Sequence, residues 1–173
     1  MGNKDISNKQ SIHFSSESQT WNSPKWLFEG LNKEWKFTLD AACIPSSALC
    51  DQYFTPEDDG LAQHWGTHTV WCNPPYDDIK SWCDKAVQAY KDGATVMMLI
   101  PSRTDTKAFQ EFAGKYCSCV CFIKGRLKFE DPTKRDKSAN TAPFPSCLLV
   151  LDNNLTDSKI EHLKTLGLVF KRC

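Results

Sequence analysis

The stretch from Thr69 to Tyr90 constrains the fold more than any other. Residues 69–72 (TVWC) read as a buried strand that runs directly into Asn73-Pro74-Pro75-Tyr76. Two consecutive prolines cannot continue a β-ladder, so the chain has to leave its sheet there. Asp77 and Asp78 follow and can cap a helix. Its apolar positions, Ile79, Trp82, Cys83, Ala86, Val87 and Tyr90, keep the helical period. Strand, rigid corner and helix in that order form one β–α unit. The next apolar run, residues 95–100 (TVMMLI), is unbroken and bounded by Gly93 and Pro101, which suits a central parallel strand.

The same alternation extends over most of the chain. Ser23-Pro24 reads as N-cap and first residue of a helix with Leu27, Phe28 and Leu31 on its apolar side and Trp26 flanking. Residues 36–40 and 52–54 read as short strands, 43–49 as a loop or single helical turn, and 55–60 (TPEDDG) as an acidic turn. Further on, 108–116 reads as helix, 118–123 and 126–130 as strands, and 131–141 as a polar, basic loop. Residues 147–151 read as strand, 157–166 as helix and 168–170 as a last strand. Helices alternating with strands predict an α/β fold with a mostly parallel sheet. The 173 residues fit one domain, expected over 21–173, after a Ser-, Asn- and Lys-rich segment, 1–20, expected to be mobile.

Composition narrows the function classes. Lys and Arg number 21 and Asp and Glu 21, so the formal net charge is zero. A protein that coats nucleic acid by bulk electrostatics is therefore excluded, and any DNA contact has to come from local basic patches. No apolar run approaches the roughly 18 residues of a membrane span, and the polar N-terminus lacks the apolar region of a secretory signal. Nine cysteines without a signal read as reduced, cytoplasmic thiols. Cys117, Cys119 and Cys121 alternate, but same-face strand neighbours lie about 6.6 Å apart. That is too far for two thiolates on one zinc, so they read as buried strand cysteines. His64 and His68 flank Gly66 with no further ligand nearby, and no metal is expected.

The corner at 73–76 carries the chemistry. In an open α/β sheet, ligands bind beyond the carboxyl ends of the strands. There the Asn73 amide oxygen and the Pro74 carbonyl offer two acceptors, Pro75 holds the turn rigid, and Tyr76 supplies a flat ring. A planar substrate with an exocyclic NH2 group fits this set. Both amino hydrogens would be accepted, and the nitrogen lone pair would be left to attack. The ring would stack on the substrate, worth about 1–3 kcal/mol per base, and a base in duplex DNA would first have to be flipped out. A glutamine amide or an RNA adenine presents the same NH2 group, and a catalytically inactive nucleic-acid-binding module is the alternative from another class.

Several pieces, taken in order, resemble the phage-type DNA adenine-N6 methyltransferases. They are Trp21-Asn22-Ser23-Pro24, Phe37-Thr38-Leu39-Asp40-Ala41-Ala42, Thr55-Pro56-Glu57-Asp58-Asp59-Gly60-Leu61, Asn73-Pro74-Pro75-Tyr76, Arg103-Thr104-Asp105-Thr106, Gly125-Arg126-Leu127-Lys128-Phe129 and Ala142-Pro143-Phe144. The resemblance covers about residues 20–152. It implies the class I, Rossmann-like, seven-stranded methyltransferase sheet and S-adenosylmethionine as methyl donor. It implies catalytic roles for Asn73, Pro74, Pro75 and Tyr76. Cofactor contacts are implied at Trp21, Ser23, Pro24, Asp40, Ala41, Ala42 and Asn73, and at one of Asp58 and Asp59. Ala41-Ala42 stand where many methyltransferases carry a glycine-rich loop.

Double-stranded DNA is the expected partner. The densest basic stretch, Lys124, Arg126, Lys128, Lys134, Arg135 and Lys137 with Phe129 between, makes 124–145 the expected DNA-contact loop, and Arg103 is placed on the ligand side. Phe129 or Phe144 would stack on the far face of the base. With no large recognition domain, a short target such as GATC is implied. A monomer or weak homodimer in the cytoplasm is expected.

Overall fold

The computed structural model describes residues 22–129 and 140–172. The expected mobile segment 1–20 and the expected contacts of Trp21, Lys134, Arg135 and Lys137 lie outside the described residues.

Helix α1 (Lys25–Trp35) leads into strand β1 (Leu39–Asp40), a 3-10 turn (Pro45–Ser47) and β2 (Gln52–Tyr53). Strand β3 (Thr69–Cys72) is followed by α2 (Ile79–Lys91), β4 (Thr95–Pro101), α3 (Lys107–Lys115) and β5 (Cys119–Ile123). The chain then makes β6 (Lys128–Phe129), β7 (Asn140–Thr141), β8 (Ser146–Leu151), α4 (Asp157–Leu166) and β9 (Gly167–Lys171). Seven strands form one sheet in the order β2-β1-β3-β4-β8-β5-β9, and β6 and β7 pair as a separate ribbon. The parallel character holds from β2 to β4. From β4 onward the neighbours are antiparallel, because β8 runs against both β4 and β5, and β9 against β5. The sheet is thus mixed. Strands β1, β3, β4 and β5 all end at one edge, and β8 begins there.

Each face of the sheet has its own core. Trp82, Cys83 and Ala86 of α2 and Phe109 and Phe112 of α3 pack on Val70, Cys72, Val96 and Met98. On the other face Leu27, Phe28 and Leu31 of α1 and Ile160 and Leu163 of α4 pack on Trp71, Met97, Leu99, Leu148 and Val150. The expected alternation of even and odd residues between faces is therefore realised in β3 and β4. Trp71 is fully buried and meets Phe28 and Phe37 edge-on, with ring centroids 5.6 and 5.5 Å apart. Cys119 and Cys121 are buried in β5 as expected, and Cys117 is buried just before it.

Two local expectations need correction. Helix α1 begins one residue later than Ser23-Pro24 predicts. Pro24 is the N-cap, with ψ 122 and no side-chain cap. The Ser23 hydroxyl instead accepts the indole N–H of Trp71 at 2.9 Å, so it ties the helix to β3. The first strand is two residues long, not five. Lys36 adopts a left-handed conformation (φ 55) at the end of α1, and the Phe37 N–H bonds to the Asn32 side chain at 2.7 Å, which keeps both residues off the ladder.

Candidate active site

The strand order reverses direction between β1 and β3: the chain moves outward from β1 to β2, then returns to β3 and proceeds to β4 on the other side. A crevice at the carboxyl ends of such a pair is where open α/β sheets bind ligands. This protein has a cleft there, open to solvent. Ala41, Ala42, Cys43 and Ile44 line it after β1, Phe54, Thr55 and Pro56 after β2, and Asn73, Pro74 and Pro75 after β3. Asp59, Gly60 and Trp82 complete the wall.

Local bonding explains why these loops converge. The Ala41 N–H bonds to the Trp71 carbonyl at 2.9 Å, and the Phe54 N–H to the Asp40 carbonyl at 2.9 Å, so all three loops leave the sheet in register. Gly60 closes the acidic turn against β1. A Cβ there would sit 2.4 Å from the Ala41 carbonyl oxygen and 3.1 Å from the Trp82 ring, so only glycine fits. The Trp65 indole N–H holds the Gly60 carbonyl at 2.9 Å.

The two neighbouring carboxylates of the acidic turn do different things. Asp58 is exposed and bonds within its own loop, accepting from the N–H and the hydroxyl of Thr55, both at 2.8 Å, and these bonds lower its pKa. Asp59 lines the cleft, has φ 54, and its carboxylate accepts the Leu61 N–H at 3.2 Å. Left-handed backbone at a residue with a Cβ is a strained state that tends to mark ligand sites. The structure thus separates two residues that look equivalent in the sequence.

Asp40 is 2% exposed and does not line the cleft; its neighbours Ala41 and Ala42 do. One carboxylate oxygen accepts the Leu49 N–H at 3.2 Å, while the other is buried without a hydrogen bond. Burial pushes its pKa up to about 6, and the Leu49 and Ala42 amides and the Cys43 thiol only partly offset that. Ser23 and Pro24 are also absent from the cleft wall, Ser23 being engaged by Trp71.

The Asn-Pro-Pro-Tyr corner sits at the mouth of this crevice. Asn73 is 9% exposed. The Tyr76 hydroxyl donates to the Asn73 amide oxygen at 2.8 Å. Burial raises the Tyr76 phenol well above its ordinary range, so it remains a donor. The edge of Phe144 meets the Tyr76 ring at 5.5 Å with an interplanar angle of 83°. Of the two expected stacking residues, Phe144 is beside the corner. Phe129 is fully buried among Leu127, Ala142 and Leu148, so its ring is core and does not reach a ligand.

The basic residues lie where the strand ends place them. Arg103 is exposed two residues after β4, and Lys124, Arg126 and Lys128 are exposed after β5. Arg103 and Lys124 follow strands that end at the same sheet edge as Asn73, and Lys128 lies in the separate β6–β7 ribbon. Sequence reasoning did not single out Ile44, Phe54, Pro56 or Gly60 as cleft residues, and it placed Trp82 in the core alone. Phe54 and Gly60 had a usable signal, since each sits immediately after a strand or turn that points at the ligand edge.

The sheet order, the crevice at its reversal point and the Asn-Pro-Pro-Tyr corner together define a single-domain, Rossmann-like methyltransferase. The profile of the family described as DNA N-6-adenine-methyltransferase (Dam) matches residues 10–167, and the chain belongs to that family. Its relatives include the DNA N-6-adenine-methyltransferase of Haemophilus phage HP1, 26% identical over 132 residues, which cover 74% of this chain and 76% of that protein. The protein of the same name from Escherichia phage T1 is 29% identical over 93 residues, 53% of this chain but 39% of that protein's length. Membership of a methyltransferase family implies a methyl donor.

Proposed function

We propose that this protein transfers a methyl group from S-adenosylmethionine to N6 of an adenine flipped out of double-stranded DNA. The observation that carries the reading is the position of the Asn73-Pro74-Pro75-Tyr76 corner beside a cleft formed by the ends of β1, β2 and β3. The cleft suits the donor. Ile44, Phe54 and Pro56 offer apolar walls for an adenine ring, Asp59 offers acceptors for ribose hydroxyls, and Asp40 keeps one unpaired buried carboxylate oxygen behind the Ala41-Ala42 wall. Bound there, the donor supplies an electrophilic methyl group on a sulfonium.

The chain's own residues hold and orient the acceptor. The Asn73 amide oxygen and the Pro74 carbonyl accept the two amino hydrogens of adenine, and the Tyr76 ring stacks on the base, with Phe144 next to it. Held this way, the N6 lone pair would be free to take the methyl group from the sulfonium, with the sulfur leaving as a neutral thioether and the extra N6 proton passing to solvent. Asn73 carries no formal charge, so its contribution is hydrogen bonding and orientation. Arg103, Lys124, Arg126 and Lys128, together with Lys134 and Arg135 outside the described residues, contact DNA phosphates or base edges. Among the described residues the large exposed apolar side chains are Trp26 of α1, Tyr53 of β2 and Leu168 and Phe170 of the edge strand β9. We propose a monomer or weak homodimer. No described helix is long and apolar enough to cross a membrane, and action on DNA is in keeping with the cytoplasm.

Incubation of the protein with methyl-labelled S-adenosylmethionine and DNA, RNA or protein in separate reactions tests this. Label at N6 of adenine in DNA alone is expected. Label in RNA or protein, or in nothing, overturns the reading.

A further inference from the structure

The last strand of the sheet has one open side. Strand β9 stands at the end of the strand order and pairs with β5; among the described residues no strand pairs with its outer side. The hydrogen bonds that flank the β5–β9 ladder fix which groups face outward. The Arg172 N–H bonds to the Ser118 carbonyl at 3.0 Å, and the Lys124 N–H to the Leu166 carbonyl at 2.9 Å. Bonded and non-bonded pairs alternate along an antiparallel ladder, so Leu168 and Phe170 turn their N–H and C=O groups to β5. Val169 and Lys171 turn theirs away. Gly167 does so with its carbonyl, while its N–H is held by the Leu163 carbonyl at the end of α4. Such an edge is a template for another strand.

The side chains along it are apolar where they meet solvent. Leu168 is 63% and Phe170 56% exposed, and as alternate residues they share one face of the sheet. Phe170 meets Phe122 of β5 edge-on at 5.9 Å, and Phe122 lies 6.3 Å from the buried Phe109 of α3. The exposed pair therefore continues the core on that face. Edge strands are commonly protected by a charge or a proline within them. Residues 167–170 have neither, and the charges follow at one end, at Lys171 and Arg172.

We infer that the outer side of β9 joins two copies of this chain, antiparallel, about a two-fold axis at Val169. In that register the strand is complementary to itself. The two Val169 residues exchange a pair of hydrogen bonds, and each Lys171 N–H meets the Gly167 carbonyl of the other copy. Leu168 of one copy then lies across from Phe170 of the other, in the closely spaced kind of pair. The basic end of each strand meets the other copy's Gly167, at the carboxyl end of α4, where the helix dipole favours cations. A parallel pairing would instead set Lys171 against Lys171. Five residues a side bury far less than the roughly 1,600 Å² of a standard stable interface, so the dimer is weak and forms with concentration. Strand β9 lies at the far end of the sheet from the cleft between β1 and β3, so this pairing leaves the cleft open and is independent of the proposed reaction.

Sedimentation velocity on the full chain over a wide concentration range tests the assignment. The weight-average mass should rise from 19.6 kDa towards twice that value, with a dissociation constant on the order of 10–100 µM. Phe170→Lys sets a cation into the apolar pair and should weaken association at least about tenfold. Val169→Pro removes an outward N–H and no bond to β5, a placement that edge strands tolerate, and should weaken it as much. If Val169→Pro does not fold, as judged by circular dichroism, Phe170→Lys decides alone. Amide hydrogen exchange locates the contact. The Val169 and Lys171 amides should exchange several-fold more slowly in concentrated than in dilute protein, while those of Leu168 and Phe170, already bonded to β5, should not change. A monomer at every concentration, a dimer that Phe170→Lys leaves intact, or a dimer with unprotected Val169 and Lys171 amides overturns the assignment.

Discussion

The two edges of the central sheet treat buried polar groups in opposite ways. At the edge where β8 ends, Asp152 is 4% exposed and saturated: it accepts from the Trp35 indole at 3.1 Å, the Lys159 ammonium at 2.8 Å and the Asn154 N–H at 2.7 Å. At the edge where β1, β3 and β4 end, the pattern reverses. Among the described residues, the buried side-chain atoms without a hydrogen bond are one oxygen of Asp40 and the hydroxyls of Ser102 and Ser146. Asp40 ends β1, Ser102 follows β4 and Ser146 opens β8, so all three belong to the site edge. An unsatisfied buried polar group costs about 1–3 kcal/mol, and native proteins carry few of them. The protein therefore leaves its unpaired buried polar groups at the edge where the donor is proposed to bind, and pairs Asp152 fully at the opposite edge.

Breaking the saturated edge should have the largest effect. Asp152→Ala leaves the Lys159 charge and the Trp35 N–H without their shared partner. It should destabilise the protein by about 3–5 kcal/mol in urea denaturation, while the folded fraction keeps its turnover. Asn73→Ala acts at the other edge on function. It should lower kcat about 10²–10³-fold with donor binding by calorimetry retained; unchanged turnover would refute the role given to Asn73.

The third test sharpens the contrast through pH. Folding raises the Asp40 pKa from 3.8 to about 6, so between these values the folded state binds more protons than the unfolded chain. Stability attributable to this group is full below about pH 4 and falls as pH rises through 6. The charged form costs about 3 kcal/mol at neutral pH, at about 1.4 kcal/mol per unit. Asp40→Asn keeps an acceptor for the Leu49 N–H and should stabilise the protein by up to that amount at pH 7.5. The advantage should vanish near pH 3.5; an advantage independent of pH would show that burial of charge is not the cause. The smallest expected effect separates the acidic pair. Asp59→Ala should weaken S-adenosylmethionine binding about tenfold, roughly 1.4 kcal/mol, and Asp58→Ala by less than about twofold. Equal losses would mean that the turn acts as a whole.

Much of this was legible in the chain itself. Residues 69–72, 95–100 and 147–151 are apolar runs bounded by breakers, and they are strands β3, β4 and β8 within a residue. The period of Ile79, Trp82, Cys83, Ala86 and Val87 placed α2, and Asp78 caps it by accepting the Ser81 N–H. The diproline fixed where β3 had to stop, and so fixed the position of Asn73. These features are local: a hydrophobic period, a missing N–H or a capping carboxylate acts over a few residues whatever the rest of the chain does.

Other features depended on how distant segments meet. The sequence marked Asp58 and Asp59 as equals, and only the folded loop engaged one with Thr55 and set the other in the cleft wall. It offered Phe129 and Phe144 as equals, and the packing of the β6–β7 ribbon on the core buried one and set the other against Tyr76. The sequence reading made the sheet mostly parallel, and beyond β4 it is antiparallel, because an apolar strand buried on both faces reads the same in either direction. Periodicity reports whether a residue is buried, but which partner it meets is settled by contacts across the whole length of the chain.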